Sequence, residues 1–207
     1  MQMRIFATSE TMAAGNRKFI VHSILRDEVI CYPTDTLYGL GGNFFSHAVQ
    51  EKIDRLKARD DSPYSAAVSG MDMLATLVAD IPSLFSDVFG KLLPGRFTFL
   101  FKAASTVDPR LLKHRDLIGI RIPDMPAVLD LIRETGVPWI STSVNRKGSL
   151  PLNDPARIMK NFPEMGIMID NGVLPPSQGS TIVDLTVEPP AVRRRGDDYE
   201  KIRKILE

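Results

Sequence analysis

The stretch "YPTDTLYGLGG", residues 32–42, decides the fold and the site that the sequence predicts. It follows the apolar pattern "EVIC" of a strand and contains two Thr, one Asp and three Gly. In open α/β sheets, ligands bind beyond the carboxyl ends of strands, where glycines let the backbone approach a ligand and hydroxyls bind small polar groups. The composition is equally compatible with such a site and with a tight turn shaped by Asp35 and its neighbours. It matches neither the G-x-x-x-x-G-K-[ST] phosphate loop nor the G-x-G-x-x-G fingerprint.

Helices and strands alternate on either side of this stretch, and further strands then follow one another. The periodicity of apolar residues predicts helices over residues 11–26, 46–59, 72–80, 82–93, 125–136, 154–162 and 197–206, with Ser46 as an N-cap and Gly136 as a C-terminal glycine. It predicts strands over residues 28–32, 64–70, 96–102, 117–123, 138–143, 166–170, 180–186 and 190–195. This order indicates an α/β fold with a mixed, twisted sheet. No linker rich in Pro, Gly or Ser divides the chain, so one domain over residues 1–207 is predicted.

The composition excludes several classes of protein. The 207 residues are 43% apolar and 25% charged, as is usual for a soluble globular protein. The formal net charge of +1 provides no overall field for nucleic acid, and the one cysteine excludes a disulfide framework. No apolar run approaches the roughly 20 residues of a membrane span, and the N-terminus lacks the apolar core of a signal peptide. These features predict a cytoplasmic protein without a membrane partner.

Two basic residues in "LKARDDSPY" form the first candidate anion site. Lys57 and Arg59 would point to nearly opposite sides of a continuous helix, so they converge on one anion only if the helix ends beside them. The two aspartates and the proline that follow predict such an end. The pair would then suit a polyphosphate, with Lys as a point charge and Arg as a bidentate fork. Taken alone, it is more typical of a solvated helix end.

Polar residues on two later strands extend the candidate site. Arg121 interrupts the apolar pattern "IGIRIP", where a charge is costly unless it is paired or exposed at a site. The stretch "WISTSVNRKG" places Ser141, Ser143 and Asn145 at a strand end, which repeats the design of the opening stretch. A simple loop explains the second pattern equally well.

The end of the chain adds Ser180 in "GSTIVDL" and Arg194 in "VRRRG", where strand alternation would turn Arg194 away from its two arginine neighbours. The three histidines are widely separated and lack ligand-spaced cysteines, so no metal site of protein ligands is predicted. No nucleophile–base arrangement is legible either. Hydroxyls, glycines, Lys and Arg together suit catalysis by positioning and by electrostatic stabilisation of phosphates, as in nucleotidyl transfer.

Taken in order, seven motifs resemble the YrdC/YciO-type family of threonylcarbamoyl-AMP synthases. They are "PTDTLYGLG" at 33–41, "KAR" at 57–59, "PGRFT" at 94–98, "IGIRIP" at 118–123, "SVN" at 143–145, "STIVD" at 180–184 and "RRG" at 194–196. The resemblance extends over about residues 15–197. It implies a single YrdC-like domain with a twisted sheet, flanking helices and a concave basic cleft, without an additional C-terminal domain.

The resemblance also implies a reaction. An ATP-dependent nucleotidyltransferase would join L-threonine, bicarbonate or CO2, and ATP into threonylcarbamoyl-AMP and release pyrophosphate. A partner enzyme would transfer the threonylcarbamoyl group to ANN-decoding tRNA, and some family members bind double-stranded RNA or tRNA. The motifs assign to threonine the residues Thr36, Arg121, Ser141 and Ser180. They assign to ATP the catalytic residues Lys57, Arg59, Ser143 and Asn145, together with Arg194. Mg²⁺ is expected with the triphosphate. Replacing Lys57 or Arg59 by alanine is predicted to impair ATP binding with little loss of stability.

The sequence departs from the family pattern after Arg59. The usual continuation resembles "RP-x-x-NPL-x-x-H", whereas this chain reads "RDDSPYSAAV". Ser62 then falls near the family's Asn, beside ATP, and Ala67 falls near its His, beside threonine. The change resembles the YciO-like branch. Three alternatives follow: the threonine-dependent synthase, a related nucleotidyltransferase with a different amine substrate, and a maturation factor that binds double-stranded RNA or tRNA.

Overall fold

Strands and short helices alternate along the chain, as the sequence predicts. The computed structural model describes residues 3–58 and 62–207. The helices are α1 (Ala14–Leu25), α2 (His47–Lys57), α3 (Met71–Ala75), α4 (Ser83–Asp87), α5 (Pro126–Thr135), α6 (Pro155–Asn161) and α7 (Tyr199–Leu206). The strands are β1 (Arg4–Ala7), β2 (Ile30–Tyr32), β3 (Gly39–Gly41), β4 (Ser65–Ala67), β5 (Phe97–Lys102), β6 (Leu117–Arg121), β7 (Trp139–Ser143), β8 (Ile167–Asp170), β9 (Thr181–Asp184) and β10 (Ala191–Arg194).

These strands form one open sheet in the order β1-β8-β2-β3-β7-β4-β6-β5-β9-β10. The sheet contains parallel pairs, such as β4–β6 and β5–β9, and antiparallel pairs, such as β3–β7 and β5–β6. The predicted α/β class with a mixed sheet is confirmed. The outermost strands, β1 and β10, come from opposite ends of the chain, so both halves contribute to the same sheet. The extent of the domain, residues 1–207, stays a prediction.

The opening stretch contains a strand that its glycines conceal from sequence patterns. β3 pairs antiparallel with both β2 and β7. A Cβ on Gly41 would lie 2.5 Å from the ring of Tyr32 and 2.7 Å from the carbonyl oxygen of Ile140. The Tyr32 ring is fully buried, and its hydroxyl donates to that same carbonyl at 3.0 Å. Gly41 therefore makes room for a protein side chain, and the expectation that it lets a ligand approach the backbone is wrong.

Helices cover both faces of the sheet. Strand alternation sends Ile30 and Trp139 into the cluster under α1 and α5, whereas their neighbours Cys31 and Ile140 join the larger cluster on the other face. The larger cluster includes Phe85, Phe89, Phe99 and Phe101, with Phe85 packed edge-on to two of these rings. None of the helices described is both long and apolar enough to cross a membrane.

Local sequence signals explain some of the helix boundaries. The hydroxyl of Ser46 accepts the amide of Val49 at the start of α2, and Gly136 ends α5 with a φ of +67°. The predicted helix over residues 82–93 is wrong in part, because it divides into α4 and a 3-10 turn, Phe89–Leu92. Strand β1 was not predicted. A register shift in β10 between Val192 and Arg194 interrupts the predicted alternation of arginines.

Candidate functional site

A polar cavity of about 260 Å³ opens between the β2–β3 connection and the ends of several strands. Alternation along β5, β6 and β7 directs Thr98, Arg121 and Ser141 to the face opposite Phe99 and Ile140. The hydroxyl residues of the lining are Thr34, Thr36, Ser65, Thr98, Ser141, Thr142, Ser143 and Ser180. The guanidinium residues of the lining are Arg121 and Arg194. The cavity is therefore rich in neutral hydrogen-bonding groups and positive charge.

The hydroxyls are fixed in pairs. The Thr34 hydroxyl lies 3.0 Å from that of Thr36 and donates to the carbonyl of Leu37 at 2.7 Å, which shapes the turn after β2. The hydroxyls of Thr98 and Ser180 lie 2.7 Å apart. Because a hydroxyl can both donate and accept, these groups can orient the amine, hydroxyl or carboxylate of a small ligand.

Arg121 stands at the end of β6 and is 7% exposed. Its Nη2 donates to Oδ1 of Asp35 at 2.8 Å and to the Thr36 hydroxyl at 3.3 Å. The Asp35 side chain is 8% exposed, so the pair lies in surroundings where an unpaired charge would be costly. The sequence identified Arg121 as anomalous but treated Asp35 as a turn residue. Nothing in the sequence connects Asp35 to Arg121, which lies 86 positions away.

Arg194 brings the second guanidinium into the cavity. Its Nε and Nη2 donate to the carbonyl oxygen of Ser180 at 2.9 and 2.7 Å, and Nη2 also donates to the Ser180 hydroxyl at 2.9 Å. Burial, followed by repulsion from the charge of Arg121, lowers the pKa of Arg194 from its usual value. Arg194 nevertheless keeps its charge at neutral pH, because the ordinary pKa of a guanidinium lies far above neutrality. Two positive charges thus share one cavity, which favours an anionic ligand.

Lys57 joins the end of α2 to the end of β7. Its ammonium donates to the Ser143 carbonyl and to Oδ1 of Asn145, the latter at 2.9 Å, and the Ser143 hydroxyl donates to the same Oδ1 at 2.7 Å. The interpretation of Lys57 as part of a solvated helix end is wrong, because Lys57 is only 2% exposed. The "KAR" and "SVN" motifs therefore meet through this cluster.

The structure brings most of the predicted site residues together. Those that line the cavity are Thr36, Arg121, Ser141, Ser143, Ser180 and Arg194. Lys57 and Asn145 adjoin the lining through Ser143. Arg59, which the motifs assign to ATP, lies outside the described residues, as do the two aspartates after it. The roles of all these residues stay predictions.

The segment that departs from the family pattern supplies a different wall from the one expected. Ala67 is fully buried in the cluster that contains Trp139, and it does not line the cavity. Ser65 lines it instead, together with Pro63 and Tyr64. A Cβ on Gly119 would lie 2.7 Å from the Ser65 hydroxyl, so the glycine makes room for this serine. Sequence reasoning missed Ser65, although alternation in "YSAAV" was a weak signal for it.

The chain is similar in sequence to one family of known proteins. Residues 22–196 match the family model of Sua5, YciO and YrdC proteins, which is described as "Telomere recombination". The threonylcarbamoyl-AMP synthase of Mus musculus is 32% identical over 168 residues, which cover 77% of this chain and 59% of the mouse protein. YciO of Escherichia coli K12 is 30% identical over 183 residues, covering 85% of this chain and 86% of YciO.

Solved structures give the same result for the fold. The crystal structure of Escherichia coli YciO superposes with a TM-score of 0.79 at 28% identity, covering 86% of this chain and 88% of that one. Sua5 of Pyrococcus abyssi in complex with L-threonine superposes with a TM-score of 0.90 at 23% identity. That match covers 99% of this chain and 61% of the Sua5 chain. The chain thus spans about three fifths of the mouse and archaeal proteins and most of YciO.

Proposed function

The chain belongs to the family of Sua5, YciO and YrdC proteins, and we propose that it synthesises threonylcarbamoyl-AMP. In this reaction, the amine of L-threonine and bicarbonate first give a carbamate and water. A carbamate oxygen then bonds to the α-phosphorus of ATP, the bond to the β-phosphate breaks, and pyrophosphate leaves. The observation that supports this proposal is the meeting of Arg121 and Arg194 in one hydroxyl-lined cavity.

On this proposal, Arg121 binds the carboxylate of threonine. Thr36, Ser141 and Ser180 lie around it and orient the amine and hydroxyl of the substrate. A guanidinium with spare donors suits a carboxylate because charge-assisted hydrogen bonds are the strong ones. The fold shared with the archaeal Sua5, whose structure is described as a complex with L-threonine, supports the assignment.

ATP would occupy the part of the cavity beside Arg194 and Ser143, which both line it. Lys57 and Asn145 would hold the end of β7 in place for the phosphates, and Arg59 would contribute a further cation. No group of three or more His, Cys, Asp or Glu in the described ranges could hold a metal ion. On this proposal, Mg²⁺ would accompany ATP on its phosphate oxygens, as is common at nucleotide sites.

The experiment is a pyrophosphate-release assay with the full chain, ATP, L-threonine and bicarbonate. Release is expected to need all three reactants. Arg121→Gln should abolish the release, whereas Arg193→Gln should leave it unchanged. Arg193 forms an ion pair with Asp184, at a distance of 2.7 Å, and neither residue lines the cavity. Pyrophosphate release that is indifferent to threonine would contradict the proposal.

A second candidate is the same nucleotidyl transfer to a different amine. It is favoured by the wall of Pro63, Tyr64 and Ser65, which replaces the family's Asn and His segment. A panel of amino acids in the same assay decides between these substrates. The RNA-binding alternative would instead require RNA affinity that falls steeply with salt, together with no ATP binding. Transfer of the product to tRNA by a partner enzyme belongs to the first proposal.

A further inference from the structure

The positive charges of the two guanidiniums in the cavity have different hydrogen-bond partners. Arg121 has a carboxylate partner in Asp35 at 2.8 Å, whereas the hydrogen bonds of Arg194 go to the neutral oxygens of Ser180. Threonine and ATP would both carry anions into this one space. Some feature must therefore keep the more highly charged phosphates from occupying both guanidiniums and displacing the amino acid.

Asp35 lies behind Arg121 as seen from the cavity. It is absent from the lining of the 260 Å³ cavity but lines a neighbouring one of about 560 Å³ together with Gly95 and Arg96. One carboxylate oxygen accepts from Nη2 of Arg121, while its Oδ2 and the Nε of Arg121 are buried and have no hydrogen-bond partner among the described atoms. The contact is thus single rather than bidentate, which holds the guanidinium in place and leaves donor capacity for a ligand.

We propose that Asp35 is a positioning and specificity-determining residue, which anchors Arg121 and makes its subsite selective for a single carboxylate over a phosphate. The physical reason is that repulsion from the fixed negative charge grows with the charge of the ligand. A carboxylate carries one negative charge and gains more from Arg121 than it loses to the more distant Asp35. Pyrophosphate carries several negative charges, so both its attraction to Arg121 and its repulsion from Asp35 are larger. Asp35 therefore removes more binding energy from pyrophosphate than from a carboxylate and reduces the advantage that charge alone would give to the phosphate. The carboxylate arm of this inference rests on the proposed function, whereas the selection against phosphate does not.

Calorimetric titration with pyrophosphate and, separately, with L-threonine tests this selectivity in four proteins: wild type, Asp35→Asn, Asp35→Glu and Asp184→Asn. Asp184 is a matched control, because its buried carboxylate also pairs with an arginine, at 2.7 Å, but lies outside the cavity lining. For Asp35→Asn we expect pyrophosphate to bind at least about tenfold tighter and threonine about tenfold weaker. Asp35→Glu, which keeps the charge, should restore the wild-type preference, and Asp184→Asn should leave it unchanged.

Steady-state kinetics add a readout that a purely structural role would not move. In Asp35→Asn the KM for threonine should rise while kcat changes little, and pyrophosphate should become a competitive inhibitor against threonine. Unchanged pyrophosphate affinity in Asp35→Asn, or an equal change in Asp184→Asn, would overturn the inference. If the wild-type protein does not bind threonine, the proposed function is wrong, and the pyrophosphate titration still tests the role of Asp35. If Asp35→Asn is unfolded alone, pyrophosphate should refold it, and failure to do so overturns the inference.

Discussion

Replacement of Lys57 by alanine is expected to weaken ATP binding and also to destabilise the protein, which corrects the small loss of stability predicted from its place at a helix end, because Lys57 is only 2% exposed. The substitution removes three buried methylenes, each contributing about 0.8 kcal/mol. It also removes the charged donor of two hydrogen bonds, to the Ser143 carbonyl and to Asn145 Oδ1, each contributing about 1.5–3 kcal/mol. Releasing the ammonium from a 2% exposed position returns part of this cost as hydration. The net loss in the free energy of unfolding should be about 3 kcal/mol.

Urea unfolding, followed by the fluorescence of the single and fully buried Trp139, measures this loss. Lys57→Met keeps most of the stem and should lose about 1–2 kcal/mol, which isolates the contribution of the ammonium. Lys52→Ala on the same helix is the control. The Lys52 ammonium is partly exposed and donates to one carbonyl, that of Asp27. The free energy of unfolding should therefore fall by less than about 1 kcal/mol in this variant. A Lys57→Ala protein as stable as wild type would refute the structural role assigned to this cluster.

Three further predictions concern other parts of the fold, and urea unfolding tests each of them. Gly41→Ala should cost about 1–3 kcal/mol because its Cβ would clash with Tyr32, whereas Gly15→Ala, which meets nothing within 4 Å, should be neutral or slightly stabilising. Burial opposes the ionisation of Asp184, but hydrogen bonds from Thr186 and the ion pair with Arg193 hold its pKa below the usual value. The ionised carboxylate therefore stabilises the folded protein above about pH 4, and this contribution is lost as the pH falls through the folded-state pKa. In Asp184→Asn this part of the pH dependence of stability should be absent. Burial raises the pKa of Tyr32 to about 12; stability should fall as the pH rises above about 10, and Tyr32→Phe should reduce that fall.

The elements that sequence patterns predicted are those with local causes. The boundaries of α2 and α5 follow from the Ser46 cap and from Gly136, and each signal acts within a few residues. Strand β3 was missed because glycine has a low strand propensity, and because one of its two partners is β7, where Gly39 pairs with the remote Ser143. Strand β1 is short and depends on parallel pairing with β8, which is remote along the chain.

The site shows the same contrast between local features, which the sequence predicts, and long-range contacts, which it does not. Arg121 could be predicted because an isolated charge in an apolar strand is costly wherever the chain folds. Asp35 could not be predicted as its partner, since the two residues are 86 positions apart and only the β2–β3 turn and the end of β6 bring them together. Lys57 looked solvated because helix ends usually are, and only the folded chain reveals acceptors from β7 beside its ammonium.

The lining of the cavity also limits how the proposed reaction can be accelerated. Its described residues include hydroxyls and two guanidiniums but no carboxylate, imidazole or amine. Burial raises the pKa of the Tyr38 phenol in the lining well above neutrality, so this group is a poor base. On the proposed function, the described lining residues would leave proton removal from the substrate amine to bicarbonate, phosphate oxygens or water. The protein would contribute by holding carbamate and phosphate in line and by stabilising developing negative charge, and these two effects can supply most of an enzymatic rate enhancement. A neutral, hydroxyl-rich floor with a tethered guanidinium is well suited to that task, because it orients the reactants without competing for their protons.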